Sequence, residues 1–168
     1  SIGATSVIGE PLLPKLMKGF SQAHEEIEYD ITIAEKSWLL KLLKEGDLDI
    51  LIIDEEHITD SNLEVLTIEK MPYVLVSKKE YHSMESVSKD PLITRETIPN
   101  NNEAIAVIED KYRISFDSKI SVLGNLEVIK GMVREEIGNV ILPMYAVHKE
   151  IKSGEFKVIS YSISSWAW

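Results

Sequence analysis

Apolar residues in the first third of the chain follow helical and strand-like spacings in turn. Over residues 11–24 they recur every three or four positions, which predicts a helix. Over 27–33 they alternate with polar residues, which predicts a strand with its apolar side chains on one side. Residues 37–45 predict a second helix, with its first serine as the cap and Gly46 as the stop. The continuous apolar run 50–53 is typical of a strand covered on both faces within a parallel sheet.

The pattern changes in the middle of the chain and then returns. Residues 63–69 and 73–77 predict strands, whereas 78–90 are polar and loop-like. The second half alternates again, with strands predicted over 92–94, 120–123, 140–142 and 156–163 and helices over 101–112, 126–136 and 144–151. Strands that alternate with helices imply parallel sheets with right-handed crossovers. The repeated order therefore predicts an α/β fold of two lobes with a cleft between them, and ligands of such sheets bind outside the carboxyl ends of the strands.

The composition is that of an acidic globular protein. Of 168 residues, 44% are hydrophobic and 27% are charged, which argues against disorder. The 18 Lys and Arg against 28 Asp and Glu leave a net charge of −10, which disfavours direct binding to a nucleic-acid backbone or a membrane surface. The absence of cysteine excludes disulfides, thiolate metal sites and cysteine nucleophiles, and it fits a reducing compartment. No stretch approaches the roughly 18 apolar residues of a membrane helix and no leader is evident, so the chain is expected to be cytoplasmic or already processed.

Motifs for catalysis or metal binding are absent from the sequence. The four histidines are scattered without the spacing of a metal site. Residues 3–9 are flanked by glycines but have neither a phosphate-loop nor a nucleophile-elbow signature. The acidic run 54–56 fits a solvated loop better than paired catalytic carboxylates. We therefore predict no catalytic residue, no metal site and no cofactor.

Polar residues at strand ends and helix starts are the remaining candidates for a binding site. Thr5 and Ser6 precede a helix, where hydroxyls, free amides and the helix dipole favour an anion, although a plain turn and cap explains them equally well. The other candidates have ordinary explanations one by one, as caps or surface charges. Together, hydroxyls, amides and two cations at one rim are what a small anionic ligand would use. The candidate ligand-binding residues are Thr5, Ser6, Lys36, Ser37, Thr94, Arg95 and Asn125.

Four segments of the sequence occur in the order of a known family. They are IGATSVIGEPLLPKLMKGFSQAHEEIEYDITI, LLKLLKEGDLDILI, NLEVIKGMVREEIGNVILP and EIKSGEFKVI. Over nearly its whole length the chain resembles the effector-binding domain of LysR-type transcriptional regulators. The resemblance implies two Rossmann-like lobes, as in type 2 periplasmic binding proteins, with the effector in the interlobe cleft. It also implies a homodimer or tetramer that binds DNA only through an amino-terminal winged helix-turn-helix, which is absent from this sequence.

The resemblance further implies how the chain divides into lobes. Residues 1–72 would form lobe I, which would lack a closing carboxyl-terminal segment. Residues 73–162 would form lobe II, and 163–168 would begin the return to lobe I. In family dimers the helices over 11–24 and 126–136 would contact the partner.

In the first lobe the resemblance assigns site positions, with one departure. Family effector sites use the hydroxyls after the first strand, here Thr5 and Ser6. They also use a hydroxyl or small polar residue before the second helix. This chain has Lys36 at that position, with Ser37 adjacent, so a charged contact would replace a neutral one.

In the second lobe the resemblance points to two places and reveals another departure. The family lines its cleft from the loop after the strand ending at Thr94, hence Arg95, and from the helix start near Asn125. Residues 135–138, Glu-Glu-Ile-Gly, stand where the family often has Ala-Gly-x-Gly. This difference leaves open the backbone of the turn and the position of the strand after it.

These observations favour a non-enzymatic sensor. A small anionic metabolite would bind between the lobes and change how a regulator presents its DNA-binding domains. An extracytoplasmic solute-binding protein of the same fold is the alternative, because fold does not fix function. A two-lobed transferase or dehydratase is disfavoured, because no acid–base or phosphate-loop constellation is present.

Overall fold

The computed structural model describes residues 1–54, 58, 60–68, 72–95, 99–122 and 125–162. The chain divides into unit 1 (Ser1–Ile68) and unit 2 (Glu69–Trp168), each with a sheet of its own. The assignment of residues 1–72, 73–162 and 163–168 to two lobes and a return segment stays a prediction, and 163–168 lie outside the described residues.

Unit 1 is built around a sheet of three parallel strands. Its elements are β1 (Ile2–Ala4), α1 (Ser6–Gly9), α2 (Leu13–Ala23), β2 (Ile31–Ile33), α3 (Lys36–Glu45) and β3 (Ile50–Ile52). The central strand β1 pairs with β2 on one side and with β3 on the other, both in parallel. The carboxyl ends of all three strands therefore lie at one edge of the sheet.

The core of unit 1 is small and lies between β1 and the helices. Ala4, Val7, Leu13 and Leu39 are buried. The helices predicted over 11–24 and 37–45 are both present as α2 and α3. As predicted, α3 ends at Gly46, whose left-handed backbone at φ 83° is a conformation that glycine adopts without strain.

Four details of unit 1 differ from the sequence prediction. β2 covers only Ile31–Ile33, and both isoleucines are exposed because this strand is an edge of the sheet. β3 is the other edge strand of this sheet, so Ile50 is 53% exposed rather than covered on both faces. Glu35 is the N-cap residue of α3, so the prediction that Ser37 caps this helix is wrong. The strand predicted over 63–69 is absent from its described part, which pairs with neither edge of the sheet.

Unit 2 contains a sheet of five strands. Its elements are β4 (Tyr73–Ser77), α4 (Met84–Lys89), β5 (Leu92–Arg95), α5 (Pro99–Tyr112), β6 (Lys119–Val122), α6 (Leu126–Arg134), β7 (Asn139–Pro143), α7 (Met144–Ser153) and β8 (Lys157–Ser162). The strand order is β6-β5-β7-β4-β8. β5 runs parallel to β6 and β7, whereas β4 runs antiparallel to β7 and β8. The prediction of a purely parallel sheet is therefore wrong at β4, which lies in the opposite direction between the two strands that α7 connects.

Helices cover both faces of the unit 2 sheet. On one face, Val74 and Val140 pack with Ile129 of α6 and Val147 of α7. On the other face, residues of β4, β5 and β7 pack with Ile108 and its neighbours on α5. The continuous apolar runs of β4 and β7 fit this burial on two sides.

The polar stretch 78–90, expected to be a loop, contains the helix α4. The Ser83 hydroxyl caps this helix by accepting a hydrogen bond from the Ser86 amide at 3.2 Å. Val87 anchors the helix in the core of unit 2. A helix of six residues with few apolar positions is too short to show a helical period in the sequence.

The turn after α6 keeps the backbone that glycine usually supplies. Glu136 adopts the left-handed conformation at φ 57°, and its amide donates to the Val133 carbonyl oxygen at 3.0 Å. A Cβ at Gly138 would lie 2.3 Å from the Pro91 carbonyl oxygen, so only glycine fits at that position. The departure over residues 135–138 thus leaves the turn intact, and β7 begins directly after it.

Candidate functional site

The carboxyl edge of the unit 1 sheet carries the first group of candidate residues. Ala4 at the end of β1 is in register with Ile33 of β2 and Ile52 of β3. The candidate residues follow within a few positions of these three strand ends and are therefore near the same edge. They are Thr5 and Ser6 after β1, Lys36 and Ser37 at the start of α3, and Asp54 after β3.

Thr5 occupies the N-cap position of α1 but does not cap it with its side chain. Its carbonyl oxygen accepts hydrogen bonds from the amides of Ile8 and Gly9 at 3.1 and 2.6 Å. Its hydroxyl instead donates to Asp54 Oδ1 at 3.2 Å. Since α1 has only four residues, its dipole adds little to an anion site, contrary to the sequence argument.

Ser6 contributes a buried hydroxyl at the same edge. The residue is 8% exposed, and its Oγ has no hydrogen-bond partner among the residues that the structure describes. Buried polar atoms are nearly always paired, so an unpaired one calls for an explanation. A bound ligand would supply the missing partner.

Lys36 and Ser37 lie at the start of α3. Lys36 is the first residue of the helix and is half-buried, whereas Ser37 is exposed. Both come after β2 at the sheet edge that carries Thr5. The structure thus brings four predicted residues to one edge of unit 1.

Asp54 is a candidate that sequence reasoning misses. The acidic run 54–56 is expected to be solvated, yet Asp54 is half-buried and accepts the Thr5 hydrogen bond. Glu55 and Glu56 lie outside the described residues. The one signal available in the sequence is that Asp54 comes directly after a predicted strand, at the edge where ligands bind.

The corresponding edge of unit 2 carries the other three predicted residues. Arg95 ends β5 in register with Val122 of β6 and is only 7% exposed. The neighbouring Thr94 hydroxyl donates to the Ile120 carbonyl oxygen at 3.4 Å. Asn125 is exposed, and its Oδ1 accepts from the amide of Val128 in α6 at 3.0 Å, so this side chain is a helix cap.

A polar cluster of unit 2 lies at the opposite edge, where β5 and β7 begin. The Lys79 ammonium and the Tyr81 hydroxyl lie 2.8 and 2.7 Å from Asp90 Oδ2. The fully buried Asn139 brings its Oδ1 to 2.9 Å from the Tyr81 hydroxyl. Hydrogen bonds from Lys79 and Tyr81 lower the pKa of Asp90, and burial raises the pKa of Tyr81. These contacts fix the chain after β4 to the starts of two strands, which is a structural role.

An ion network joins α6 to α7. The buried Glu150 accepts from Lys130 Nζ at 2.9 Å and from Arg134 Nη2 at 3.2 Å. Arg134 Nε also lies 2.9 Å from Glu155 Oε1. Lys130 is itself buried, so Glu150 is the acceptor that balances a charge removed from water.

The described ranges contain neither a metal-binding cluster nor a membrane-spanning helix. No three His, Asp or Glu side chains in those ranges lie closely enough together to hold a metal ion. His24, His82 and His148 are exposed, and His57 lies outside those ranges. No helix of the described part of the chain has the length and apolar character to cross a bilayer.

Solved structures define the class of fold. The regulatory domain of OxyR from Pseudomonas aeruginosa aligns with a TM-score of 0.76 and 20% identity, over 97% of this chain and 81% of that one. The effector-binding domain of QuiR in complex with shikimate aligns with a TM-score of 0.71 and 16% identity, over 95% and 78%. These regulatory domains have the type 2 periplasmic-binding-protein-like fold, so the predicted α/β fold class is confirmed.

The chain belongs to the family of LysR substrate binding domains, whose family model matches residues 1–163. A curated relative, the probable RuBisCO transcriptional regulator of Trieres chinensis, is 26% identical over 173 residues. The match covers 95% of this chain and 56% of the relative, so the chain spans little more than half of that protein's length. The family match and the name of this relative favour an effector-binding domain over a solute-binding protein of the same fold.

Proposed function

We propose that this domain is the sensor of a DNA-binding transcriptional regulator and that it binds a small anionic effector at the carboxyl edges of its sheets. Arg95 carries the proposal. This residue lies at the end of β5 and is only 7% exposed. A guanidinium has five N–H donors, so it can bind a carboxylate or phosphate in addition to its contacts within the protein.

Lys36 supports the same ligand charge. A cation in the first turn opposes the dipole of a ten-residue helix, so helix stability does not account for this residue. In the family the equivalent position is a hydroxyl or small polar residue that contacts the effector, as the resemblance implies. The candidates for neutral hydrogen bonds are Thr5, Ser6, Ser37, Thr94 and Asn125.

The effector would act through a difference in affinity between two arrangements of the regulator. The net charge of −10 disfavours DNA binding by this domain, so DNA contacts would belong to a winged helix-turn-helix outside residues 1–168. We place the regulator in the cytoplasm, without catalytic activity and without a cofactor.

Thermal denaturation with small acids and with neutral analogues of matched size tests the proposal. A ligand at 100 times its Kd stabilises a protein by about 2.7 kcal/mol, which corresponds to roughly 5–10 °C for a chain of this length. We expect at least one acid to give such a shift and Arg95→Ala to abolish it. Arg113→Ala removes an arginine whose side chain is 85% exposed and serves as the matched control. If neutral compounds stabilise the chain and no acid does, the proposed ligand charge is wrong.

We also propose that the regulator is a homodimer or tetramer in which α2 and α6 contact a partner chain. Leu16 and Phe20 of α2 and Val128 of α6 are exposed, which supports an apolar contact surface. Light scattering should show that Leu16→Glu shifts the protein toward monomer, whereas Lys18→Glu on the same helix does not. A wild-type chain that stays monomeric at high concentration would contradict this assignment of the two helices.

A further inference from the structure

The hydroxyl hydrogen of Thr5 is already committed within the protein. Thr5 Oγ1 donates to Asp54 Oδ1 at 3.2 Å, and both side chains belong to the same edge of the unit 1 sheet. A hydroxyl has one hydrogen and two lone pairs, and an ionised carboxylate has lone pairs only. A group that binds beside Thr5 therefore meets a hydrogen-bond acceptor.

The neighbouring hydroxyl has the opposite capacity. Ser6 Oγ is buried and has no hydrogen-bond partner in the described part of the chain, so its hydrogen remains available. Leaving such a group unpaired is unfavourable, because burial removes its hydrogen bonds to water and nothing replaces them. A ligand that accepts from Ser6 and donates to Thr5 would satisfy both hydroxyls. Such a ligand carries groups of opposite hydrogen-bonding capacity close together.

We infer that Asp54 is a specificity-determining residue of the effector site, because it orients the Thr5 hydroxyl as an acceptor. The domain then selects acids that also carry a hydroxyl or ammonium group over acids of equal length without one. An acid without that donor would leave the Thr5 lone pairs without a partner. The inference rests on the proposed function for the binding of the acid group, whereas the selection rests on the Thr5–Asp54 pair alone.

Binding of matched acids to the 168-residue chain tests this selection. Calorimetry measures the affinities of acids in matched sets, each set having one carbon number between two and six. Examples are succinate with malate and aspartate, and propionate with lactate and alanine. Malate and lactate test a hydroxyl donor, whereas aspartate and alanine test an ammonium donor. Within a set that binds, we expect the donor-bearing acid to be favoured about tenfold or more.

The outcomes separate the inference from the proposed function. Equal affinities within the sets that bind would overturn the inference and leave the proposed function in place. Failure of every acid to bind, while neutral compounds bind, would overturn both. A tenfold preference would support both.

Variants assign the selection to Asp54. In Asp54→Asn the carboxamide can donate to Thr5 Oγ1 and release the Thr5 hydrogen, so the preference should fall below about threefold. Asp49→Asn removes an exposed carboxylate next to the start of β3, at the opposite edge, and should retain the wild-type preference. An unchanged preference in Asp54→Asn would overturn the role of Asp54.

Two substitutions at Thr5 keep the inference testable even if Asp54→Asn does not fold. Thr5→Val removes the hydroxyl at nearly constant shape and should weaken donor-bearing acids about tenfold more than the other acids. Thr5→Ser keeps the hydroxyl and should keep the preference. If Thr5→Val weakens all acids equally, the hydroxyl does not discriminate among ligands and the inference is wrong.

Discussion

Replacing Glu136 with glycine should stabilise the protein, although the change removes a whole side chain. Glu136 comes after α6 with φ 57°, in the left-handed region where a residue with a Cβ is strained by about 1–2 kcal/mol. Its side chain is exposed, so no packing is lost. Its attraction to Lys79 acts between groups near the surface and is worth under about 1 kcal/mol.

The net effect is a balance between strain and unfolded-state entropy. Glycine relieves the strain but loses more conformational freedom on folding, which costs about 0.5–1 kcal/mol. Relief of the strain, less this cost and the weak attraction to Lys79, leaves a net stabilisation of up to about 1 kcal/mol. For a chain of this length, that corresponds to a Tm increase of up to roughly 4 °C.

Urea and thermal unfolding followed by circular dichroism measure this change. Glu135→Gly is the matched control, because Glu135 is also exposed but has φ −83° and therefore no left-handed strain to relieve. We expect that variant to lose about 0.5–1 kcal/mol. If Glu136→Gly destabilises the protein as much as Glu135→Gly does, the assignment of strain to Glu136 is refuted.

Three further predictions concern packing and charge in unit 2. Gly138→Ala, whose Cβ would meet a backbone oxygen at 2.3 Å, should lose about 1–3 kcal/mol in urea unfolding, whereas Gly131→Ala, which has open space, should gain roughly 0.5–1 kcal/mol. Native contacts lower the pKa of Asp90, so its contribution to stability is present above about pH 4 and is lost as the pH falls through the native pKa. The Tm difference between wild type and Asp90→Asn should therefore shrink in acid, and a constant difference would contradict the assignment. Glu150→Gln weakens the pairing of a buried ammonium and should cost about 3 kcal/mol in thermal unfolding, against less than about 1 kcal/mol for Glu155→Gln, and equal losses would show that Glu150 is not the centre of the network.

Apart from the short helix α4, the order of elements in unit 2 can be predicted from the sequence, because burial and sequence pattern agree there. β4 and β7 are covered on both faces and appear as continuous apolar runs. The direction of a strand cannot be predicted in this way, because the run Tyr73–Ser77 has the same apolar pattern whether it is parallel or antiparallel to its neighbours. The antiparallel position of β4 depends on its neighbours β7 and β8, which the local sequence does not specify.

In unit 1, the sequence pattern predicts a strand but does not reveal how far that strand is buried. The alternation over 27–33 places its isoleucines on one side of a strand, but it does not say whether anything covers that side. Ile31 and Ile33 are exposed here because β2 is an edge strand of a three-stranded sheet. Ile50 is exposed for the same reason, since its apolar run indicates burial on both faces but β3 is the other edge strand of the sheet.

Strand ends can be located from the sequence, and this is why Thr5 and Arg95 can be proposed from the sequence alone. The partner of a hydroxyl cannot be located in this way. Asp54 lies 49 residues from Thr5 along the chain, and only the pairing of β1 with β3 brings the two together. Whether the Thr5 hydroxyl acts as a donor or an acceptor toward other groups therefore depends on how the chain between the two residues folds.

A family resemblance can therefore indicate where a hydroxyl lies, but it does not by itself indicate whether that hydroxyl donates or accepts a hydrogen bond. A threonine or serine after the first strand of a relative would give the position of a hydroxyl, but whether that hydroxyl donates or accepts would depend on its own partner. In this chain a carboxylate comes after β3 and accepts the Thr5 hydrogen, so in the proposed site the hydroxyl would offer its lone pairs to a ligand. A relative without that carboxylate could use the same threonine to donate to an effector carboxylate. Effector chemistry in this family should therefore be inferred from the partner of each site hydroxyl rather than from the hydroxyl itself.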